Sequence, residues 1–145
     1  VNPGKNLTVA ITGASGSVFG QRLLRTLERD ERVSHVNFIA SESSLRVMAE
    51  ELQLSGRNEL VAKLLGKPSI KTQHLAENDV GAGPASGSYP SDGMIILPCS
   101  MGTLAGIAHG LASNLIERAA DVCLKERRLL ILCIRETPFN KIHLR

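Results

Sequence analysis

Apolar positions along this chain fall into short continuous runs separated by longer stretches in which they recur every three or four residues. Residues 7–12 form a short apolar, β-branched run that ends in Gly13, Ala14, Ser15 and Gly16, and residues 18–27 then carry apolar side chains at helical spacing. This reads as strand, tight loop, helix. The pattern repeats with a strand at 35–40 and a helix at 45–54, for which Ser43 or Ser44 would be the cap. A second helical piece at 59–65 and a weak strand at 70–75 follow. Residues 78–92 are so dense in Gly, Pro, Ser and Ala that they read as a long loop. Residues 94–98 and 129–134 are continuous apolar strands, and 103–111 and 115–124 are helical in pattern. Near-continuous apolar strands predict burial on both faces. Strands alternating with helices predict an α/β fold: one domain over residues 1–145, with a doubly wound parallel sheet, helices on both sides, and ligands beyond the carboxyl ends of the strands. The chain ends at Arg145, shortly after the fifth strand, where such folds continue with a helix and another strand. The expectation is therefore a sheet lacking its C-terminal element.

Composition narrows the function classes. With 145 residues, 43% of them hydrophobic, the chain can bury a core without disulfides. Cys99, Cys123 and Cys133 are odd in number, have no Cys-x-x-Cys spacing and lie in apolar segments, a usage that fits a reducing cytoplasm. Residues 1–6 hold no apolar leader core and no run of 18 apolar residues occurs, which argues against secretion and membrane spanning. A soluble cytoplasmic protein is expected. The net charge of +3 is mildly basic, but only 3% of residues are aromatic and no Lys/Arg block stands alone. Nucleic acid is thus not expected as a partner, whereas anionic small molecules such as phosphates suit the surplus. His35, His74, His109 and His143 are scattered without ligand spacing, so no metal site is expected.

Two strand-to-helix junctions carry candidate chemistry. In Thr12-Gly13-Ala14-Ser15-Gly16 the free N–H groups and helix dipole can receive an anion or an electron-rich ring. Gly13, Gly16 and Gly20 do not match the dinucleotide fingerprint, and a purely structural turn, with Ser15 as helix cap, is the competing reading. In Pro98-Cys99-Ser100-Met101-Gly102-Thr103, two hydroxyls and a glycine at the helix start form a phosphate cradle. Cys99, with an apolar strand before it and no histidine nearby in sequence, reads as structural rather than nucleophilic. Arg118, Asp121 and Lys125 recur at near-helical spacing, ordinarily the mark of a solvated face. Here Arg135-Glu136-Thr137-Pro138 follows a buried strand directly, and a cation and a carboxylate at that edge can hold a phosphate and move its proton.

Taken together, these two junctions, Pro84-Ala85-Ser86-Gly87-Ser88, Asn114-Leu115-Ile116-Glu117-Arg118-Ala119-Ala120-Asp121-Val122, Leu124-Lys125-Glu126-Arg127-Arg128, Arg135-Glu136-Thr137-Pro138 and Ile142-His143-Leu144 resemble the UbiX/Pad flavin prenyltransferases, within the flavin-containing cysteine decarboxylase-like superfamily. The resemblance runs from residue 7 to the end and is weakest over 53–80. It implies a three-layer, Rossmann-like flavoprotein domain that binds FMN. Its activity would be metal-independent transfer of a dimethylallyl group from dimethylallyl monophosphate to reduced FMN, supplying prenylated FMN to UbiD-type decarboxylases. It further implies a homo-oligomer, a homododecamer in the family. Position by position, Gly13, Ala14, Ser15, Ser41, Ser100, Met101, Gly102, Thr103 and Arg135 correspond to FMN contacts. Ser86, Arg118, Lys125 and Glu136 look like the prenyl-phosphate pocket, and Glu51 like a carboxylate working with Ser15 near flavin N5. Ser15, Glu51, Lys125 and Glu136 are thus the catalytic candidates. The sequence departs from the family at Val80, where some members carry tryptophan, at Arg145, which replaces a glutamate, and in lacking a C-terminal segment with a phosphate-binding Tyr and Arg. The alternatives are an FMN-dependent cysteine decarboxylase, whose active-site histidine has no counterpart here, a non-catalytic FMN-binding or assembly subunit, and a nicotinamide oxidoreductase.

Overall fold

A computed structural model describes residues 4–145. The strands are β1 (Lys5–Ile11), β2 (Val33–Ala40), β3 (Thr72–Leu75), β4 (Gly93–Cys99) and β5 (Leu129–Ile134). The helices are α1 (Ser17–Arg29), α2 (Glu42–Glu51), α3 (Leu60–Leu65), α4 (Met101–Ala108) and α5 (Leu115–Lys125). All strand pairs are parallel, in the order β3-β2-β1-β4-β5.

Strand periodicity divides the apolar side chains between two cores. Val9 and Ile11 of β1 and Val36, Phe38 and Ala40 of β2 pack with Leu24 of α1, Met48 of α2 and Leu60 and Leu64 of α3. On the opposite face Ala10 and Ile39 join Met94, Ile96 and Cys99 of β4 beneath Ile107 of α4 and Leu115, Ile116, Ala119 and Ala120 of α5. The outcome is the expected three-layer, doubly wound sheet. Gly20 permits one close approach: a Cβ there would lie 2.6 Å from the Leu97 carbonyl oxygen and against Ile11, so only glycine lets α1 sit this near the strand ends.

Several boundaries and exposures differ from the sequence reading. β5 is not buried on both faces. Leu130 and Leu132 pack into the second core, whereas Leu129 (61%), Ile131 (41%) and Ile134 (46%) are exposed. A continuous apolar run marks hydrophobicity on both sides of a strand without showing whether both are covered, and β5, like β3, is an edge strand among the described residues. α2 stops at Glu51 rather than residue 54, because Gln53 turns to a left-handed conformation (φ 58°). α4 ends at Ala108 rather than 111, where Gly110 (φ 71°) lets its own N–H and that of Leu111 return to the carbonyls of Ile107 and Gly106. Among the described residues no helix is long and apolar enough to cross a membrane.

Candidate functional site

The sheet changes direction between β1 and β4, so the turns that follow these strands lie side by side at the carboxyl edge. Thr12, 1% exposed, joins them. Its N–H and hydroxyl donate to the Pro98 carbonyl (3.2 and 2.7 Å), and its Oγ1 accepts from the N–H of Ser100 (2.9 Å). Ser100 caps α4: its Oγ accepts from the Thr103 N–H (3.2 Å) and donates to Thr103 Oγ1 (2.9 Å). The N–H groups of Met101 and Gly102, at the first turn of α4, and those of Gly13, Ala14 and Ser15 donate to no other group among the described residues. Free donors at a helix start and in an adjoining turn are what an anion needs. Ser41 lies beside the first turn and caps α2, accepting from the Ser44 N–H (3.1 Å), with Ser43 Oγ 3.1 Å away. The cap is therefore Ser41 and not Ser43 or Ser44. Gly13 carries no side chain because a Cβ would collide with Ser43.

α1 has no side-chain cap of its own. Its N-cap is Gly16 (φ 107°), so the Ser15 hydroxyl is not the cap. The capping oxygens come instead from Glu51, at the end of α2. Its Oε1 accepts from the N–H of Gly16 (3.1 Å), the N–H of Ser17 (3.2 Å) and the Ser17 hydroxyl (2.9 Å), while Oε2 accepts from the Ser15 hydroxyl (2.7 Å) and, at longer range, from the Gly16 N–H (3.3 Å). The Ser15 bond, helped by the Ser17 and Gly16 donors and opposed by modest desolvation, holds the Glu51 carboxyl below the usual carboxylate range. A lowered folded-state pKa stabilises the fold above the unfolded value, about 4.3 for glutamate, and that gain fades as pH falls through the folded value. The difference in Tm between wild type and Glu51→Ala is therefore expected to be greatest near neutral pH and to shrink below about pH 4. Thermal melts followed by circular dichroism from pH 3 to 8 check this, and a pH-independent difference would contradict the capping role.

A cavity of about 270 Å³ opens between the Ser100 turn, Ser41 at the start of α2 and the start of α5. Of the FMN-contact candidates, Ser41, Ser100, Gly102 and Thr103 line it, whereas Gly13, Ala14, Ser15, Met101 and Arg135 do not; Asn114, Glu77 and Glu117, which sequence reasoning did not select, line it as well. Asn114 caps α5 by accepting from the Glu117 N–H (2.9 Å). Asn followed three residues later by Glu before an apolar run is a recognisable helix-start signal, and it would have located these two positions. Glu117 is buried and accepts from the Ser113 hydroxyl and the Asn114 amide. Glu77 accepts from the Glu42 N–H (2.7 Å). Burial pushes the Glu77 carboxyl up against the pull of Arg57, and the Glu117 carboxylate adds to the rise.

The other sequence candidates, Ser86, Arg118, Lys125, Arg135 and Glu136, do not line this cavity. Ser86 and Ser88 share a hydroxyl contact (2.9 Å) in the long loop. Between them Gly87 packs against the end of α5, where a Cβ would lie 2.5 Å from Glu126 Oε1 and 3.3 Å from Lys125 Nζ. Arg128 fastens this loop by donating to the Gly87 carbonyl (2.7 Å), and Lys125 lies 3.6 Å from Glu126. Arg118 is half-buried, and among the described residues its buried Nε has no hydrogen-bond partner. Arg135 is set beside the Ser100 turn by its N–H, which donates to the Cys99 carbonyl (3.1 Å). Among the described residues Glu136 accepts only from the adjacent Thr137 N–H (3.1 Å). Among the described residues, no hydrogen bond or ion pair joins Ser86, Arg118 or Lys125 to Glu136 or to the Ser15–Glu51 pair. Burial, with Cys133 nearby, pushes the Cys99 thiol up to about 11, so it is a packed thiol at neutral pH and not a nucleophile.

Comparison with known proteins agrees with this fold. The flavoprotein family model matches residues 1–144. The flavin prenyltransferase UbiX of Alkalihalophilus pseudofirmus is 46% identical over 142 residues, which span 97% of this chain and 70% of that protein. Among solved structures, AnUbiX (PadA1) in complex with FMN and dimethylallyl pyrophosphate superposes with a TM-score of 0.84 at 39% identity, covering 98% of this chain and 70% of that one. A dodecameric FMN-dependent UbiX-like decarboxylase from Escherichia coli O157:H7 gives 0.83 at 40% identity over 96% and 70%. A doubly wound sheet with two amide-lined turns at its switch point is the architecture of an α/β flavoprotein. The chain belongs to the flavoprotein family and, within it, to the UbiX flavin prenyltransferases.

Proposed function

We propose that this chain binds FMN across its two adjacent turns and transfers a dimethylallyl group from dimethylallyl monophosphate to the reduced flavin. The observation that carries this reading is the set of unpartnered N–H groups at Gly13, Ala14, Ser15, Met101 and Gly102, held side by side by Thr12. Five donors without protein partners fit a ligand with an anionic phosphate and an electron-rich ring system. The Ser100 and Thr103 hydroxyls complete a phosphate cradle, with Ser41 on one side and Arg135 following β5 on the other. Glu77 and Glu117, in the same cavity, suit a polyol chain whose hydroxyls donate.

Reduced FMN, when bound, supplies the nucleophile for the allylic carbon. Lys125 and Arg118 offer positive charge to a phosphate leaving group, and transition-state charge stabilisation of this kind is usually the largest contribution to such chemistry. Ser86, tied to α5 through Gly87 and Arg128, hydrogen-bonds the same phosphate, and Glu136 exchanges its proton. Ser15, held by Glu51, handles the proton at the flavin end. The product, prenylated FMN, passes to a UbiD-type decarboxylase. The exposed Leu129 and Ile131 on the outer face of β5, with Ile134 at its end, fit burial against further copies of the chain in a homo-oligomer working in the cytoplasm.

Incubating the protein with reduced FMN and dimethylallyl monophosphate and weighing the extracted flavin by mass spectrometry tests the assignment. Flavin heavier by one prenyl unit is expected. Bound but unmodified FMN would replace the transferase reading with that of an FMN-binding subunit, and absence of flavin would overturn both.

A further inference from the structure

Resting on the FMN reading above, we infer that Thr12 is a positioning residue for the flavin: its buried hydroxyl locks the two halves of the site into one register without being a flavin contact itself. The two turns come from strands whose sequence positions are far apart, and each turn carries donors useful only if the other is in place. Ladder pairing between β1 and β4 extends from Leu7–Gly93 to Ala10–Ile96 and then stops. Past that point, Thr12 supplies the connection. Its hydroxyl donates to Pro98 O (2.7 Å) and accepts from Ser100 N (2.9 Å), and its N–H reaches the same Pro98 carbonyl (3.2 Å). One side chain therefore continues the sheet into the loops and joins Pro98 near the end of β4 to Ser100, the cap of α4.

The placement of those bonds is what separates this role from packing. Immediately after Thr12 come the free amides of Gly13, Ala14 and Ser15, and immediately after Ser100 come those of Met101 and Gly102. A shift of either loop would misalign one set of donors against a ligand held by the other. Pre-organisation of this kind appears in affinity, because a ligand binding to loose loops must itself meet the cost of ordering them. Valine has nearly the volume of threonine but neither donates nor accepts, so Thr12→Val removes the connection while keeping the bulk. Serine keeps the hydroxyl and loses one methyl group.

The test is FMN binding by titration of flavin fluorescence, with Tm of the apo-protein followed in parallel. Thr12→Val is expected to bind FMN about tenfold more weakly, equivalent to about 1.4 kcal/mol, while the apo-protein remains folded at the assay temperature. Its bound flavin should also show a broader, more solvent-like visible spectrum. Thr12→Ser should recover wild-type affinity and spectrum. If Thr12→Val does not fold, Thr12→Cys, whose thiol is only a weak donor and acceptor, provides the comparison. Wild-type affinity and spectrum in the folded Val or Cys variant, even with a lowered Tm, would reduce Thr12 to a structural residue and overturn the inference. Failure of the wild type itself to bind FMN would instead overturn the functional reading on which the inference rests.

Discussion

The Ser100→Val, Thr103→Val double variant is expected to purify colourless, with FMN affinity lowered by at least about a hundredfold. Both hydroxyls are part of one local device. Ser100 caps α4 through the Thr103 N–H and shares a hydrogen bond with the Thr103 hydroxyl, so the pair fixes the helix start at which the Met101 and Gly102 amides are free. A hydrogen bond to a charged group contributes about 1.5–3 kcal/mol, and two lost together amount to about 3–6 kcal/mol, or about 10²–10⁴ in affinity. Loss of the cap alone costs the helix about 1 kcal/mol. The control is Thr103→Val by itself, which leaves the Ser100 cap onto the Thr103 backbone intact and should show an intermediate affinity. Flavin content from the visible spectrum of purified protein, with circular dichroism to confirm retained helix, decides the matter. A yellow double variant with wild-type flavin stoichiometry would place the phosphate elsewhere.

The two turns were legible because their chemistry is local. A β-branched apolar run ending in Gly-Ala-Ser-Gly, and another ending in Pro-Cys-Ser-Met-Gly-Thr, each announce a strand end, a turn and a helix start within a few residues. The three-layer sheet was legible for the same reason: alternation of short apolar runs with helical periodicity needs no knowledge of distant contacts. Glu51 is the opposite case. It acts on Ser15, Gly16 and Ser17, more than thirty positions away, through a contact created by packing α2 beside α1, and nothing in its own neighbourhood distinguishes it from Glu50. Only resemblance to a family singled it out. Glu77 is similar, an acidic residue beyond β3 that becomes part of the cavity only because its side chain meets the start of α2. The cap of α2 was misassigned for a subtler reason. Ser41, Ser43 and Ser44 all offer hydroxyls, and the choice depends on where β2 releases the chain, a boundary that periodicity locates only to within a few residues. The exposed side of β5 was invisible because hydrophobicity along a strand does not record whether a second layer covers it.

Replacing Glu51 with glutamine is expected to leave FMN bound and to slow prenyl transfer by about 10²-fold or more, the usual scale for a lost acid/base group. The geometry explains why the two effects should separate. Three of the contacts to Glu51, from Gly16 N–H, Ser17 N–H and the Ser17 hydroxyl, converge on Oε1, and a glutamine carbonyl oxygen can accept all of them. The start of α1 and the Gly13–Ser15 turn then keep their shape, and with them the flavin amides. The contacts to Oε2 are different: the Gly16 N–H reaches it only as the longer branch of a shared bond (3.3 Å), and that donor keeps Oε1 in the variant. The Ser15 hydroxyl donates to Oε2 (2.7 Å), the position an amide NH2 group would take, so in the variant Ser15 faces a donor and must turn away or accept. A carboxylate held below its usual range by that same hydroxyl is ionised at neutral pH and can stabilise positive charge or draw a proton through Ser15, neither of which an amide can do. Glu51→Ala is the informative contrast: it removes the cap as well as the charge, and should lose both stability and flavin affinity along with the rate. Parallel measurement of FMN dissociation constant, Tm and prenyl-FMN yield for the Gln and Ala variants separates the contributions. Should Gln cost flavin affinity as much as it costs rate, Glu51 would be a scaffold for the turn and not a participant in the chemistry.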